Sequence, residues 1–382
     1  MITIMASRRT PTLTGGQGLA ERAHEGRISG HTLKIIRQSV GLTQERFAER
    51  LQIDVTTVQG WESGRRPLMA IPMATYLALR QSLLQLDAHP QLVRQLDTAL
   101  EADQFIGHVL NHPTTHVADE HPLASWVINR TFTEFASWPL TANPPSAFRH
   151  LASETRRRGP AAPSPALEAG ERAHFFEHLK IAAESATDDE PRSALLRRQA
   201  YYVASFDESP DTGEWLASMQ RSEMRRLRRT SEWTPSWAVV RSGAHSLARL
   251  GDREGLQEFI STRLSDDVCE MANLNYWAYW LGEASEPQVT DLFMIELGLE
   301  SWQGTKLLRH LANRLEPVNP YMEVVTHTLW ALIMLRPDAL SPSAAKQVIG
   351  SARQALDFPA VSDRSRRELE AVVYALRMID RG

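Results

Sequence analysis

At 382 residues, with 42% apolar residues and a formal net charge of −4, the chain has material for two or three domains and is too neutral to coat nucleic acid in bulk. Cys269 is the one cysteine, which excludes an intramolecular disulfide, fits a reducing cytoplasm and reads as a small buried apolar residue. No run approaches the roughly 20 apolar residues that cross a bilayer, so a membrane-spanning helix is not expected.

In chain order, residues 1–28 read as a flexible tail: Arg8-Arg9, Pro11 and Gly15-Gly16 sit among threonines, without the apolar core of a signal peptide. Residues 29–88 carry the most informative pattern. A first helix, His31 to Val40, sets Leu33, Ile36 and Val40 on one side. Thr43 offers a cap to a second helix with Phe47, Ala48 and Leu51 on its apolar side, and after Gln52-Ile53 the Asp54 carboxylate offers a cap to a third. With Val55 set at zero and about 100° per residue, Gln59 falls near 40°, Thr56 near 100° and Gly60 near 140°, while Trp61 and Val58 fall near 240° and 300°. Val58 and Trp61 therefore face inward, and Val55, Thr56, Gln59 and Gly60 project together. Gly64 stands where a left-handed helix end is wanted, and Pro67 stops any continuation.

This stretch resembles the phage-repressor type of helix-turn-helix found in the Xre family of bacterial regulators. The resemblance covers roughly Gly30 to Asp87 and rests on Gly41-Leu42-Thr43-Gln44, Phe47-Ala48, Leu51, Val58 and the run Trp61-Glu62-Ser63-Gly64-Arg65-Arg66-Pro67. It implies a five-helix domain that binds double-stranded DNA, with Gln44 at the start of the second helix and Val55, Thr56, Gln59 and Gly60 facing the groove. Thr43, Thr57, Arg37, Arg65 and Arg66 complete the expected DNA-binding set. The family further implies a homodimer on a palindromic operator, cytoplasmic and nucleoid-associated when DNA-bound, with repression as the expected sign of regulation. Two departures matter. Gln52 occupies the turn position usually held by glycine, implying a left-handed residue at a cost of roughly 1 kcal/mol. Val55 and Gly60 replace long polar side chains, which removes bidentate guanine readout from both positions; Val55 could meet a thymine methyl, Gln59 a base edge, and DNA shape would carry more of the specificity.

Beyond this head, Ile71 to Leu86 reads as a closing apolar helix. Residues 89–142 read as a connecting helical and aromatic segment: a helix from about Gln91 to Leu110 presents Leu92, Leu96, Leu100 and Ile106 for a dimer or interdomain contact, and Trp126, Phe132, Phe135 and Trp138 are expected to dock on a larger unit. Residues 143–170, with Pro144-Pro145, Arg156-Arg157-Arg158 and the Gly159 to Pro165 run, read as a linker. Residues 171–382 read as successive helical hairpins, pairing Trp237 to Leu250 with Glu254 to Leu264 and Ala272 to Leu281 with Pro287 to Leu297. Later helices run near Gln303–Leu315, Tyr321–Leu335, Ala344–Leu356 and Ser362–Met378. The spacing resembles tetratricopeptide-like repeats, although the full repeat motif is absent, and implies a sensor or dimerisation domain.

The aromatic cluster Tyr276, Trp277 and Trp280, with amides from Asn273 and Asn275, reads either as an effector pocket for a small molecule, peptide or protein or as ordinary packing between stacked helices. Trp302, Trp330 and His327 are weaker members of that class. His174-Phe175-Phe176-Glu177-His178 spells H-x-x-E-H, a zinc-peptidase order, but no third ligand motif follows and a short pattern among 13 histidines arises readily by chance. His108, His112, His116 and His121, with Asp119 and Glu120, read as a polar loop, because Pro113 breaks the helical spacing. Neither a serine-nucleophile elbow nor a phosphate loop occurs, so no enzyme activity, metal or cofactor is expected. The sequence thus predicts an all-α, DNA-binding regulator whose C-terminal domain receives a signal. The alternatives are a DNA-tethered protein-interaction scaffold and a zinc-dependent hydrolase using His174, Glu177 and His178.

Overall fold

A computed structural model describes residues 26–112, 120–149, 164–188, 190–227, 233–264, 266–316, 318–337, 340–359 and 361–379. The expectations for the N-terminal tail up to Glu25, for His116 and Asp119 and for Arg156–Arg158 fall outside these residues. Every helical or extended element found among the described residues is helical, and none is a strand. The chain divides into two compact units, one made of Met1–Asn111 with Glu134–Glu168 and the other of His112–Thr133 with Ala169–Gly382.

In the first unit, helices α1 (Arg27–Ser39), α2 (Gln44–Leu51), α3 (Val55–Glu62), α4 (Met73–Gln85) and α5 (Pro90–Asn111) enclose one core. Each start has a local cause. Thr43 Oγ1 accepts from Arg46 N at 3.3 Å and Asp54 Oδ1 from Thr56 N at 2.7 Å, satisfying first-turn donors that the helices leave open. Gln52 takes φ 55°, ψ 40°, the left-handed residue that the sequence implied, and Gly64 takes φ 74° just past α3. Leu33, Ile36, Phe47, Val58, Trp61, Leu79, Leu83, Val93 and Leu96 meet in the core.

The apolar face of α5 is not the free dimer or interdomain surface that its spacing suggested. Leu96 and Ile106 are buried, α5 packs on α1, and Leu92 and Leu100 are half-buried against the same core. A weld at the helix end explains the choice: Asp103, fully buried, accepts from Ile28 N at 2.8 Å and Ser29 N at 2.9 Å and so caps α1 from 74–75 residues downstream.

The aromatic segment divides. Helix α7 (Arg130–Thr141) follows a short α6 (Pro122–Ser125). Trp138 meets His31 of α1 edge-on at 5.1 Å and packs with Phe135 and Phe148 in the first unit, while Trp126 and Phe132 pair at 5.0 Å in the second. Phe148 and Leu167, expected in a linker, are both buried, and Leu167 N donates to Pro139 O at 2.9 Å. Apolar side chains inside the proline-rich stretch are the reason: burying them outweighs the poor helix propensity around them.

The second unit is a succession of packed helices: α8 (Ala169–Ser185), α9 (Pro191–Ala204), α10 (Pro210–Leu227), α11 (Pro235–Arg249), α12 (Glu254–Arg263), α13 (Asp267–Trp280), the short α14 (Phe293–Glu296), α15 (Thr305–Ala312), α16 (Met322–Leu335), α17 (Pro342–Leu356) and α18 (Asp363–Ile379). Helix α11 pairs with α12 as its spacing predicted. The expected partner of α13, Pro287 to Leu297, is mostly irregular. Gln288 O accepts from Val127 N at 2.7 Å and buried Asp291 binds Arg198, so the segment serves tertiary partners in place of its own helical ladder. Among the described residues no helix is long and apolar enough to cross a membrane.

Candidate nucleic-acid interface

A buried ionic knot fixes the recognition elements. Arg37 of α1 donates from Nε to Glu62 Oε1 at 2.5 Å, from Nη2 to Glu62 Oε2 at 2.9 Å and from Nη1 to Leu42 O at 2.5 Å. Gln44 of α2 adds its Nε2 to Glu62 Oε2 at 2.7 Å. One carboxylate at the end of α3 thereby ties three helices together, in surroundings where an unpaired charge would be costly. Arg37, expected among the DNA-facing cations, is 6% exposed and belongs to this knot instead. Gln44 has its amide N–H committed to the same anchor.

Close backbone approach completes the frame. A Cβ added at Gly30 would overlap the carbonyl oxygen of Trp61, so α1 passes α3 at a distance only glycine permits.

The outward side of α3 differs from the projection. Val55 is half-buried and packs partly on the core, and Gly60 is buried. The cover is Arg66: a Cβ at Gly60 would come within 2.9 Å of Arg66 Cδ and 3.1 Å of Cγ, so the arginine stem crosses the helix where a side chain is missing. Its Nη1 donates to Thr57 Oγ1 at 3.2 Å. A cation absent from α3 itself is thus laid along its flank from the following loop. Thr56 is exposed and Thr57 and Gln59 are half-exposed, with Thr43 exposed at the start of α2. Arg46, Arg50 and Arg65 are exposed and form no ion pair among the described residues, which leaves them available to phosphates. The Asp54 carboxyl is held below its usual range by the Thr56 hydrogen bonds, so this acid stays ionised at its cap.

Residues 33–70 match a protein-family model described as helix-turn-helix. The head is a helix-turn-helix DNA-binding domain. Within this helix-turn-helix the ionic knot spans the matched segment from Arg37 to Glu62, and the Arg66 stem lies near its end. No curated protein and no solved structure matches the chain. The family match ends at residue 70, and the tetratricopeptide likeness of residues 171–382 rests on helix spacing alone.

The other candidate residues separate in the structure. Asn275 is not a free amide: Nδ2 donates to Met294 O at 2.9 Å and Leu297 O at 2.6 Å, and Oδ1 accepts from Trp302 Nε1 at 2.8 Å. Its work is to hold the irregular segment after α13. Trp277 is buried, whereas Tyr276 and Trp280 are half-buried and lie 6.3 Å apart with nearly parallel rings. His174 and His178 stack at 6.2 Å on the outer side of α8, with His174 and Glu177 exposed, while Phe175 and Phe176 carry the buried side. No third His, Cys, Asp or Glu joins them, since no metal-competent group of three occurs among the described residues. His121 is buried and its Nδ1 accepts from Leu123 N at 3.1 Å, capping α6. Sequence reading missed the Arg37–Glu62–Gln44 knot and the Arg66 cover; the available signals were a glutamate at an inward helical angle and a glycine in the last turn of the helix, shortly before the Arg65-Arg66 pair.

Proposed function

We propose that the chain is a sequence-specific transcriptional regulator, a repressor in the simplest case, whose second unit receives the signal and which acts without chemistry of its own. The observation that carries this reading is the immobilised third helix, whose exposed and half-exposed Thr56, Thr57 and Gln59 stand among exposed Arg46, Arg50 and Arg65 and the helix-laid Arg66. Gln59 supplies an amide able to read a base edge, and the arginines supply the phosphate contacts that set register. Binding as a two-fold dimer places two copies of α3 in successive major grooves, about 34–36 Å apart, on a palindromic operator.

The test begins with selection of bound sites from random duplex DNA by the full chain. Gln59→Ala is expected to weaken the selected site by about 1–3 kcal/mol while leaving non-specific binding nearly unchanged. Arg65→Ala is expected to weaken both and to lower the salt slope by about one unit. Failure to enrich any site, or equal losses for Gln59→Ala on both DNAs, would overturn sequence-specific readout through α3.

A further inference from the structure

In the second unit, α9, α11 and α13 form a cluster with a floor of buried Arg241, His245 and Trp277 and a rim of half-buried Tyr202, Arg249, Tyr276 and Trp280. We propose that it binds a small organic anion, a carboxylate or phosphate that also brings a hydroxyl or amine hydrogen; this names the signal for the regulator proposed above and rests on that reading.

The charge balance points there first. Arg241, His245 and Arg249 recur every fourth residue and therefore share one side of α11. Two neighbouring buried arginines have acids of their own: Arg197 pairs with Glu223 at 2.9 Å, and Arg198 grips Asp291 through Nε at 2.9 Å and Nη2 at 2.8 Å, while buried Arg336 donates to the Leu299 and Trp302 carbonyl oxygens. Arg241 and Arg249 have no carboxylate within ion-pair distance among the described residues. Arg241 is only 4% exposed, lies 4.1 Å over the Tyr276 ring and donates Nε to Asn273 Oδ1 at 3.0 Å. Burial lowers its pKa to about 10, leaving it cationic at neutral pH. Its neighbours are a neutral amide, the Tyr276 side chain, cationic Arg198 and an Asp291 already gripped by Arg198, so the buried group is short of one negative charge.

Three floor atoms give the missing partner a shape. Among the described residues, Arg241 Nη2 and Trp277 Nε1 are buried donors without a hydrogen-bond partner. His245 Nε2 is also unpartnered and buried, and its ring is neutral because burial drives its pKa down to about 3. Since His245 Nδ1 faces the Arg241 carbonyl oxygen at 2.9 Å, the hydrogen sits on Nδ1 and Nε2 is an acceptor. Two donors and one acceptor suit an anionic oxygen beside an O–H or N–H. Around them, Arg249 donates to Tyr202 Oη at 3.1 Å, and Trp280 meets Tyr202 edge-on at 5.2 Å. These half-exposed groups offer a second cation and flat apolar walls for the body of the ligand.

The full chain is titrated with inorganic phosphate and with 4-hydroxybenzoate, each against sodium chloride at matched ionic strength, following melting temperature and tryptophan fluorescence. Saturable stabilisation by either probe, absent with chloride and about tenfold weaker in Arg241→Met and in Arg249→Gln, is the expected result. Without added anion, Arg241→Met should melt no lower than the parent, because an apolar chain replaces an uncompensated buried charge. If Arg241→Met does not fold, Arg249→Gln on the half-exposed rim carries the comparison. Chloride-like behaviour of both probes, or responses that the variants retain, overturns the site. Operator affinity is measured in parallel: anion binding with no effect on it refutes the sensor reading and keeps the site, whereas intact DNA binding with no anion response refutes the site and keeps the reading head.

Discussion

Glu62 ties three helices of the head together through one side chain. Its two carboxylate oxygens receive Arg37 twice and Gln44 once, all in a buried setting. Glu62→Gln leaves the Arg37 guanidinium buried without a counter-charge and is expected to cost roughly 3–5 kcal/mol, measurable as a lower denaturant midpoint. DNA affinity should fall with it, since the orientation of α3 depends on the same contact. Gly60 makes the opposite case. Alanine there displaces only the flexible Arg66 stem and adds helix propensity of about 0.8–1.0 kcal/mol, so Gly60→Ala should be neutral or stabilising. Binding to the selected DNA should nevertheless weaken, with the salt slope lowered by about one unit, because Arg66 no longer lies along the helix. Reduced stability together with unchanged DNA binding would show that Arg66 covers the glycine for packing alone.

At the scale of elements, local chemistry made most of the head legible. The Thr43 and Asp54 caps, the inward Val58 and Trp61 and the left-handed Gln52 all depend on residues a few positions apart, where helical geometry alone decides who meets whom. Arg37 was misplaced because its partner lies 25 residues away, and an arginine on a helix reads as a surface charge until the tertiary fold supplies its acid. The apolar side of α5 misled for a related reason: periodicity shows that a face needs covering but not what covers it. Pro287 to Leu297 defeated the hairpin expectation because Asp291 and Gln288 answer to Arg198 and Val127, partners that no local pattern displays. One element-level contact offers a direct test. Gly30→Ala drives a methyl into the backbone of α3 and is expected to destabilise by about 1–3 kcal/mol in thermal melts, unlike an alanine at exposed Gly350 of α17, where open space surrounds the new carbon.

For the whole molecule, three histidines of the second unit shape stability against pH. Burial alone would favour neutral His327, but hydrogen bonds to Glu270 at 2.6 Å and Glu368 at 2.9 Å outweigh it and push its pKa up to about 9. Its folded value lies above the unfolded 6.5, so its contribution is complete below that pH and is lost as pH rises through about 9. His245 and His310 run the other way: burial, with nearby arginines, lowers them to about 3 and about 4. Their contributions are complete above the unfolded 6.5 and shrink as pH falls. Melting temperature should therefore peak near neutrality, and His327→Gln should flatten the alkaline limb while leaving the acid limb in place. An unaltered alkaline limb would remove His327 as its cause.

The Asp103 cap on Ile28 and Ser29 has a consequence for where this head can be cut. A fragment ending at Ala88 would contain every residue of the DNA-reading motif and still lack the group that closes its first helix, along with Val93 and Leu96 of the core. The unit that folds is longer than the unit that reads, and an autonomous head must extend through α5.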